Sequence, residues 1–261
     1  MEVSFDNFPK RIISLAPNIT EALYAIGADT LIAGVTDFCD FPSEAKSKVK
    51  TGSYLSPDYE VMTSLRPDLI IMNVESISQP TYQALKNLNT KIFVSNAKDI
   101  DGIIKMMNDL GRITGMEINA KEVTDNILKQ RQIYIDLNKN AEKKKSLIII
   151  SVSPLMTSNG NTFINEVAEL SGFENIYKDE FIDYPLISYE DITAKDPAYI
   201  ILPTDTTNAN NYTRYINELS DKLNTTTAIK NNRIILIDEN IIFRPGPRVL
   251  ESVRLLRFKL K

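Results

Sequence analysis

The chain contains no histidine and no tryptophan, a single cysteine, and nine glycines in 261 residues. The missing histidines remove the commonest side-chain acid/base group and the commonest metal ligand together. Zinc catalysis and Ser-His or Cys-His nucleophilic chemistry are therefore poor fits. With one cysteine, Cys39, no disulfide can form within the chain. The glycines make neither a G-x-G-x-x-G turn nor a Walker loop, so nothing is built to cradle a phosphate. Neither sign of charge dominates: 34 acidic residues against 30 basic ones leave a net of −4, with no surplus of cations for nucleic acid or an anionic membrane. No apolar run approaches the roughly 20 residues that a bilayer span needs. The N-terminal MEVSFDNFPK lacks the basic and apolar stretches of a signal peptide, which leaves either a cytoplasmic protein or the mature part of an exported one.

What the chain does have is an internal echo. Residues 59–71 read YEVMTSLRPDLII and residues 189–201 read YEDITAKDPAYII, 130 residues apart, with six of thirteen positions identical. RIISLAP at 11–17 resembles LIIISVSP at 147–154, and KIFVSN at 91–96 resembles RIILID at 233–238. The period is too long for a solenoid unit, so it points to two similar lobes. Two related lobes imply a cleft between them, the usual place for a ligand.

The local pattern within each half is strand, helix, strand. RIISL (11–15) is followed by Asn18 and, three residues on, Glu21, which reads as a capping box opening a helix that ends at Gly27. LIAGV (31–35) is a strand. Ser56-Pro57 reads as a helix start with proline in first position, DLIIM (68–72) as strand, 79–88 as helix and KIFVS (91–95) as strand. In the second half, LIIISVS (147–153), AYIIL (198–202) and RIILI (233–237) are strands, with helices over 162–171, 212–223 and from about 247. Apolar strands alternating with helices predict mainly parallel sheets covered on both faces. The fold class expected is α/β: two Rossmann-like lobes, residues 1–98 and 140–261, joined by a long backbone helix over 99–139. The alternative for that link is two packing helices meeting at Gly115. A continuous helix of about 40 residues would span about 60 Å and restrain closure of the lobes.

Parallel sheets collect ligands at the carboxyl ends of their strands. The loops there include TDFCDFP (36–42), GSYLSP (52–57), NVESIS (73–78), SPLMTSNG (153–160), PTDTTNAN (203–210) and DENIIFRPGPR (238–248). They are rich in Asn, Ser, Thr, Tyr and Phe, which suits a large polar ligand with apolar faces.

In order and spacing, RIISLAPNITEALYAIG, GVTDFCDFPSEAK, TGSYLSPDYEVMTSLRPDLII, SNGNTFINEVAELSGFENI, YPLISYEDITAKDPAYII and RPGPRVLESVRLL resemble the cluster-A, helical-backbone (class III) substrate-binding proteins of ABC importers. The resemblance covers essentially the whole chain. It is closest to the cobalamin-binding members through VTDFCDFP and GSYLSPD. It implies a non-enzymatic receptor, periplasmic or tethered outside the cell as a lipoprotein. That receptor would bind a corrinoid such as cobalamin (vitamin B12), or alternatively a ferric siderophore or haem, and deliver it as a monomer to a permease dimer. No resident cofactor or catalytic residue is implied.

The resemblance also implies site residues. Tyr54 falls where cobalamin binders carry a cleft tyrosine, Met156 where they carry an aromatic residue, and Tyr184 where they carry tryptophan. Asn240 replaces an aspartate, and Arg244 matches a cleft arginine. Lacking tryptophan, this chain would draw any aromatic clamp from Tyr or Phe. Each residue also has a plainer reading: Tyr54 and Tyr184 as amphipathic edge residues, Met156 as core filler, and Arg244 as a salt bridge. Arg248 reads as structural, Tyr59 and Tyr189 as packing, and Cys39 as a small buried residue. For docking on the permease, the family's acidic positions fall near Glu75 and Gln79 in the first half, and Asp205 or Glu218 in the second. The rival reading is a two-lobed enzyme such as a nucleotide-sugar glycosyltransferase, which would need phosphate-binding glycines and an acid/base set. A cytoplasmic ligand sensor is a third.

Overall fold

The computed structural model describes residues 7–53, 55–74, 78–205 and 209–260, with backbone alone for 209–212. The chain forms two compact units, Met1–Leu128 and Lys129–Lys261.

In the first unit, β1 (Ile12–Ser14), β2 (Ile32–Val35), β3 (Val49–Lys50), β4 (Leu69–Asn73) and β5 (Lys91–Ser95) form one sheet in the order β3-β2-β1-β4-β5. Every neighbouring pair is parallel. On the central strands, Ile12, Ile13, Leu69, Ile70 and Ile71 are fully buried. That is what a strand covered by helices on both faces requires, and it explains the uniform apolar runs. The helices here are α1 (Pro17–Ala25), α2 (Tyr59–Ser64), α3 (Gln79–Lys86), α4 (Ile100–Thr114) and the first part of α5 (Glu117–Asn138).

In the second unit, β6 (Lys144–Ile148) leads into a hairpin of β7 (Ser151–Val152) and β8 (Leu155–Met156). The sheet adds β9 (Phe173–Asn175), β10 (Tyr199–Thr204) and β11 (Ile234–Asp238) to β6, in the order β11-β10-β6-β9, all parallel. The remaining helices are α6 (Phe163–Leu170), α7 (Tyr189–Lys195), α8 (Ala209–Lys222), α9 (Thr227–Lys230), α10 (Glu239–Ile242) and α11 (Val249–Lys259).

The sequence echo is a structural repeat. In both halves it is a short helix followed by a strand next to the sheet's first strand, α2-β4 beside β1 and α7-β10 beside β6. The order β2-β1-β4-β5 in one unit matches β9-β6-β10-β11 in the other. Local chemistry repeats too. Asp58 and Ser188 cap the two helices by accepting from the amides of Val61 and Asp191, each link being a satisfied orphan donor of the first turn. Tyr59 and Tyr189 pack against their own unit's core, as expected.

Several local expectations are revised. Asn18 does not cap α1; Pro17 opens that helix from Ala16, and Asn18 lies inside it, buried. The Ser56-Pro57 start is also displaced: Pro57 bridges back to Gly52, and α2 begins at Tyr59 with Asp58 as its cap. The run LIIISVS is not one strand, because the chain leaves the sheet after Ile148 and folds into the β7-β8 hairpin. The segment 99–139 forms two helices: Gly115 ends α4 in left-handed backbone with φ 75°, and its amide bonds to the Gly111 carbonyl. A Cβ at Gly111 would lie 2.6 Å from that of Ala120, so the turn of α4 onto α5 needs glycine there. The division between units at Leu128 falls within α5. No helix among the described residues is long and apolar enough to cross a membrane.

Candidate functional site

All strands of each sheet run the same way, so their carboxyl ends lie along one edge of each unit. That edge gathers the loops singled out above.

In the first unit, the loop after β2 is held from below. Cys39 is 1% exposed; its Sγ accepts from the Thr20 hydroxyl at 3.1 Å and lies 3.2 Å from the Thr36 hydroxyl. The Lys50 ammonium donates to the Cys39 carbonyl at 3.0 Å. With Cys39 turned inward, Phe38 and Phe41 on either side of it stay exposed. Leu55 and Val74, on the neighbouring loops, are exposed as well. Where the strand order reverses, between β1 and β4, the Asn73 amide donates to the Asn18 side-chain oxygen at 2.8 Å. Asn18, inside α1, thus links that helix to the end of β4. The Asn73 oxygen is buried and has no hydrogen-bond partner among the described residues, and the Thr204 hydroxyl, at the end of the equivalent strand β10, is in the same condition.

In the second unit, the loop 176–187 runs alongside 155–160. The amides of Thr157 and Asn159 donate to the carbonyls of Pro185 and Asp183, and Met156 bridges Leu186 in antiparallel fashion. Pro185 is buried while Tyr184 and Leu186 on either side are exposed. In extended chain alternate residues share a face, which groups Tyr184 and Leu186 with Met156. Phe181, 97% exposed, and Ile182 extend the apolar patch. At the end of β11, the Arg244 guanidinium donates to the Asn240 side-chain oxygen at 2.5 Å, and Arg248 donates to the Asn240 carbonyl at 3.4 Å. Phe243 beside them is partly exposed. The Glu239 carboxyl is raised above the usual glutamate range, first by burial and then by Asp205 and Asp238; Arg244 pulls the other way.

The structure thus brings Asn240 to Arg244, and groups Met156 with Tyr184. The first pair follows β11, and Met156 lies in the hairpin that follows β6, with β10 between those two strands in the sheet. Tyr54 and Glu75 lie outside the described residues. Gln79 is exposed at the start of α3. Asp205 lies close enough to Glu239 to raise its pKa, which places it at the strand-end edge. Glu218 lies on α8 and accepts from the Tyr189 hydroxyl at 3.0 Å; burial first, and then this carboxylate, push that tyrosine up to about 12. Among the described residues, no group of three or more acidic or cysteine side chains is placed to hold a metal ion. The sequence reading did not single out Phe38, Phe41, Phe181, Leu186 or Phe243. Their signal was their position in strand-end loops, where large apolar side chains have no core to enter.

A family profile described as periplasmic binding protein matches residues 12–241. A vitamin B12-binding protein of Pectobacterium atrosepticum is 29% identical over 254 residues, covering 93% of this chain and 85% of that protein. Among solved structures, a possible iron-binding (periplasmic solute-binding) protein of Staphylococcus epidermidis superposes with a TM-score of 0.84 at 26% identity, covering 97% and 99% of the two chains. A periplasmic heme-binding protein of Pseudomonas aeruginosa superposes with a TM-score of 0.86 at 21% identity, covering 96% and 92%.

Proposed function

The chain belongs to the periplasmic binding protein family, and from that premise we propose that it is the receptor of an ABC importer for a corrinoid, cobalamin being the best fit. The observation that carries this reading is the character of the strand-end edges. Exposed Phe38, Phe41 and Leu55 in one unit, and Phe181, Tyr184, Leu186 and Phe243 in the other, offer apolar and aromatic surface for a flat macrocycle. Asn240 and Arg244 add donors and acceptors for its amide rim. The extent of the match to a vitamin B12-binding protein supports the choice of corrinoid. A ferric siderophore or haem is the alternative, supported by the iron-binding and heme-binding structural neighbours.

In this reading the protein holds one chelate reversibly, turns nothing over, and works as a monomer outside the cytoplasmic membrane, in a periplasm or on a lipid anchor. Tyr54, Met156, Tyr184, Asn240 and Arg244 contact the cargo. Glu75, Gln79 and Glu218 face the permease, while the proximity of Asp205 to Glu239 favours a place at the cargo edge. The test is a melting curve with cobalamin, ferric catecholate, ferric hydroxamate and haem. A ligand at about 100 times its dissociation constant adds about 2.7 kcal/mol of stability. If none of these shifts the curve and a nucleotide sugar does, the enzyme reading replaces this one.

A further inference from the structure

We propose, building on the chelate-receptor reading, that Asn159 is a positioning residue, whose side-chain amide fixes the apolar tip of the 176–187 loop before any cargo arrives. Asn159 follows β8, is fully buried, and has every polar group engaged within the second unit.

Its base is anchored. The side-chain oxygen accepts from the Asn161 amide at 2.9 Å, and the carbonyl accepts from the Thr162 hydroxyl at 2.9 Å. Thr162 caps α6, so Asn159 is tied to the start of that helix. The neighbouring Gly160 amide donates to the Lys178 carbonyl at 2.9 Å, and a Cβ on Gly160 would stand 2.7 Å from that oxygen. The two loops are therefore in backbone contact there. From this base the Asn159 amide donates to the Glu180 carbonyl at 3.0 Å and to the Asp183 carboxylate at 3.3 Å. Its backbone N–H adds a bond to the Asp183 carbonyl at 2.9 Å. Glu180 and Asp183 are the shoulders of a tip whose inner residues, Phe181 and Ile182, are 97% and 63% exposed.

Large apolar side chains left in water do nothing for the stability of the free fold. In a loose loop they would collapse onto the nearest apolar surface. One buried amide that grips both shoulders prevents that collapse and keeps the tip extended. Ordering a loop and its side chains weakens binding when it has to happen on association; here it is complete in the free protein. The ligand that gains from such a tip has a broad apolar face, as a macrocycle does.

The test separates positioning from mere stability. Asn159→Asp keeps the shape and the acceptor for Asn161 but loses both N–H donors. Hydrogen exchange across 178–186 should rise in this variant, with no change over β10. Cyanocobalamin, titrated calorimetrically, should bind about tenfold more weakly. The double variant Asn159→Asp, Asp183→Asn returns a donor to the shoulder and should recover part of both losses. Phe181→Ser should weaken cyanocobalamin about fivefold in the wild-type background but less than about twofold alongside Asn159→Asp, because a tip already released has little left to lose. If thermal melts show that Asn159→Asp does not fold, Asp183→Ala removes one grip at an exposed position and should raise the same exchange and weaken binding about threefold. Unchanged exchange and affinity, or a full Phe181→Ser loss in both backgrounds, would overturn the positioning role and leave the receptor reading standing. If the wild-type protein binds neither cyanocobalamin nor ferrioxamine B, a ferric triscatecholate or haem, the receptor reading fails and the positioning role falls with it.

Discussion

Arg66 and Asp196 stand 130 residues apart and hold nearly the same left-handed backbone, with φ of 45° and 42°. Each ends the helix of the repeated unit just before a proline, so the repeat extends to a backbone conformation that neither side chain favours. Left-handed backbone costs an ordinary residue about 1–2 kcal/mol, and the cost has been kept in both halves. What differs is what the side chain does. The Asp196 carboxylate accepts from the Thr227 amide at 2.6 Å and from its hydroxyl at 2.7 Å, securing the start of α9. Arg66 is exposed at the end of its helix.

The two positions should therefore respond in opposite directions to glycine. Arg66→Gly removes the strain and, after the extra chain entropy of glycine, should gain about 0.5–1 kcal/mol. Asp196→Gly loses the hold on α9 and should be destabilised on balance, the lost contact being worth about 1 kcal/mol, like a helix cap. Bonds from Thr227 depress the Asp196 pKa, so its stabilisation is present above the unfolded-state value and lost as pH falls through the folded one. Urea melts of the Asp196→Gly variant and wild type should accordingly converge on acidification. A gap that persists well below the aspartate range would show that the carboxylate's charge is not responsible.

Arg244 is held before any cargo arrives, by its bond to Asn240 and by the Pro-Gly-Pro that follows it. Arg244→Ala should weaken corrinoid binding by roughly one to two orders of magnitude, since a charged hydrogen bond is worth about 1.5–3 kcal/mol and about 1.4 kcal/mol is a factor of ten. Unliganded stability should change little. Because Asn240 orients the guanidinium, a double-mutant cycle with Asn240→Ala should show coupling of about 0.5–3 kcal/mol in the binding energy. Unchanged affinity with a large loss of apo stability would make the pair a structural brace.

Phe181 is 97% exposed, so the unliganded fold gains almost nothing from it. Phe181→Ser should leave the melting temperature of the free protein nearly unmoved, within about 0.5 kcal/mol, yet lower affinity for a macrocyclic chelate by about 1 kcal/mol. Isothermal titration and a thermal melt on the same preparation decide it. Equal affinity in the two proteins would remove the 176–187 loop from the site.

Glu239 ties stability to pH. Its pKa is raised in the folded state, so the fold binds that proton more readily than the unfolded chain does. Stability from this group is full below the ordinary glutamate value and falls as pH rises through the raised one. Glu239→Gln should thus melt higher than wild type at neutral pH and match it in acid. A variant that melts lower at neutral pH would mean that the attraction to Arg244 outweighs burial and the neighbouring aspartates.

Gly111 tests the close approach of α4 to α5. Gly111→Val forces side-chain atoms into the space held by Ala120 and should destabilise by about 1–3 kcal/mol, as overpacking does. Calorimetry that shows no loss would mean that the two helices can part without consequence for the first unit.

Much of the architecture was legible in the sequence because its signals are local. The strand KIFVS, the stop at Gly27 and the helix starting at Gln79 depend on residues within a turn or two of one another. The repeat at 59–71 and 189–201 was legible because the same packing problem recurs and is solved with the same Tyr-Glu start and Pro-x-x-Ile-Ile strand. The absence of histidine, tryptophan and phosphate-binding glycines narrows the chemistry by residue type alone. Tertiary structure alone decided the partnerships between distant residues. Asn18 reads as a cap, yet it lies inside α1 and accepts from Asn73, 55 residues away. Glu218 reads as an exposed charge until Tyr189 donates to it across 29 residues. LIIISVS reads as one strand because nothing nearby shows that Met156 will bridge Leu186. Exposure was decided there too: Phe181 and Phe173 are the same residue type, yet one lies in solvent and the other is fully buried. Hydrophobicity and periodicity are properties of a segment, whereas a neighbour across a sheet is set by which strands pair, and that choice is made by the whole chain.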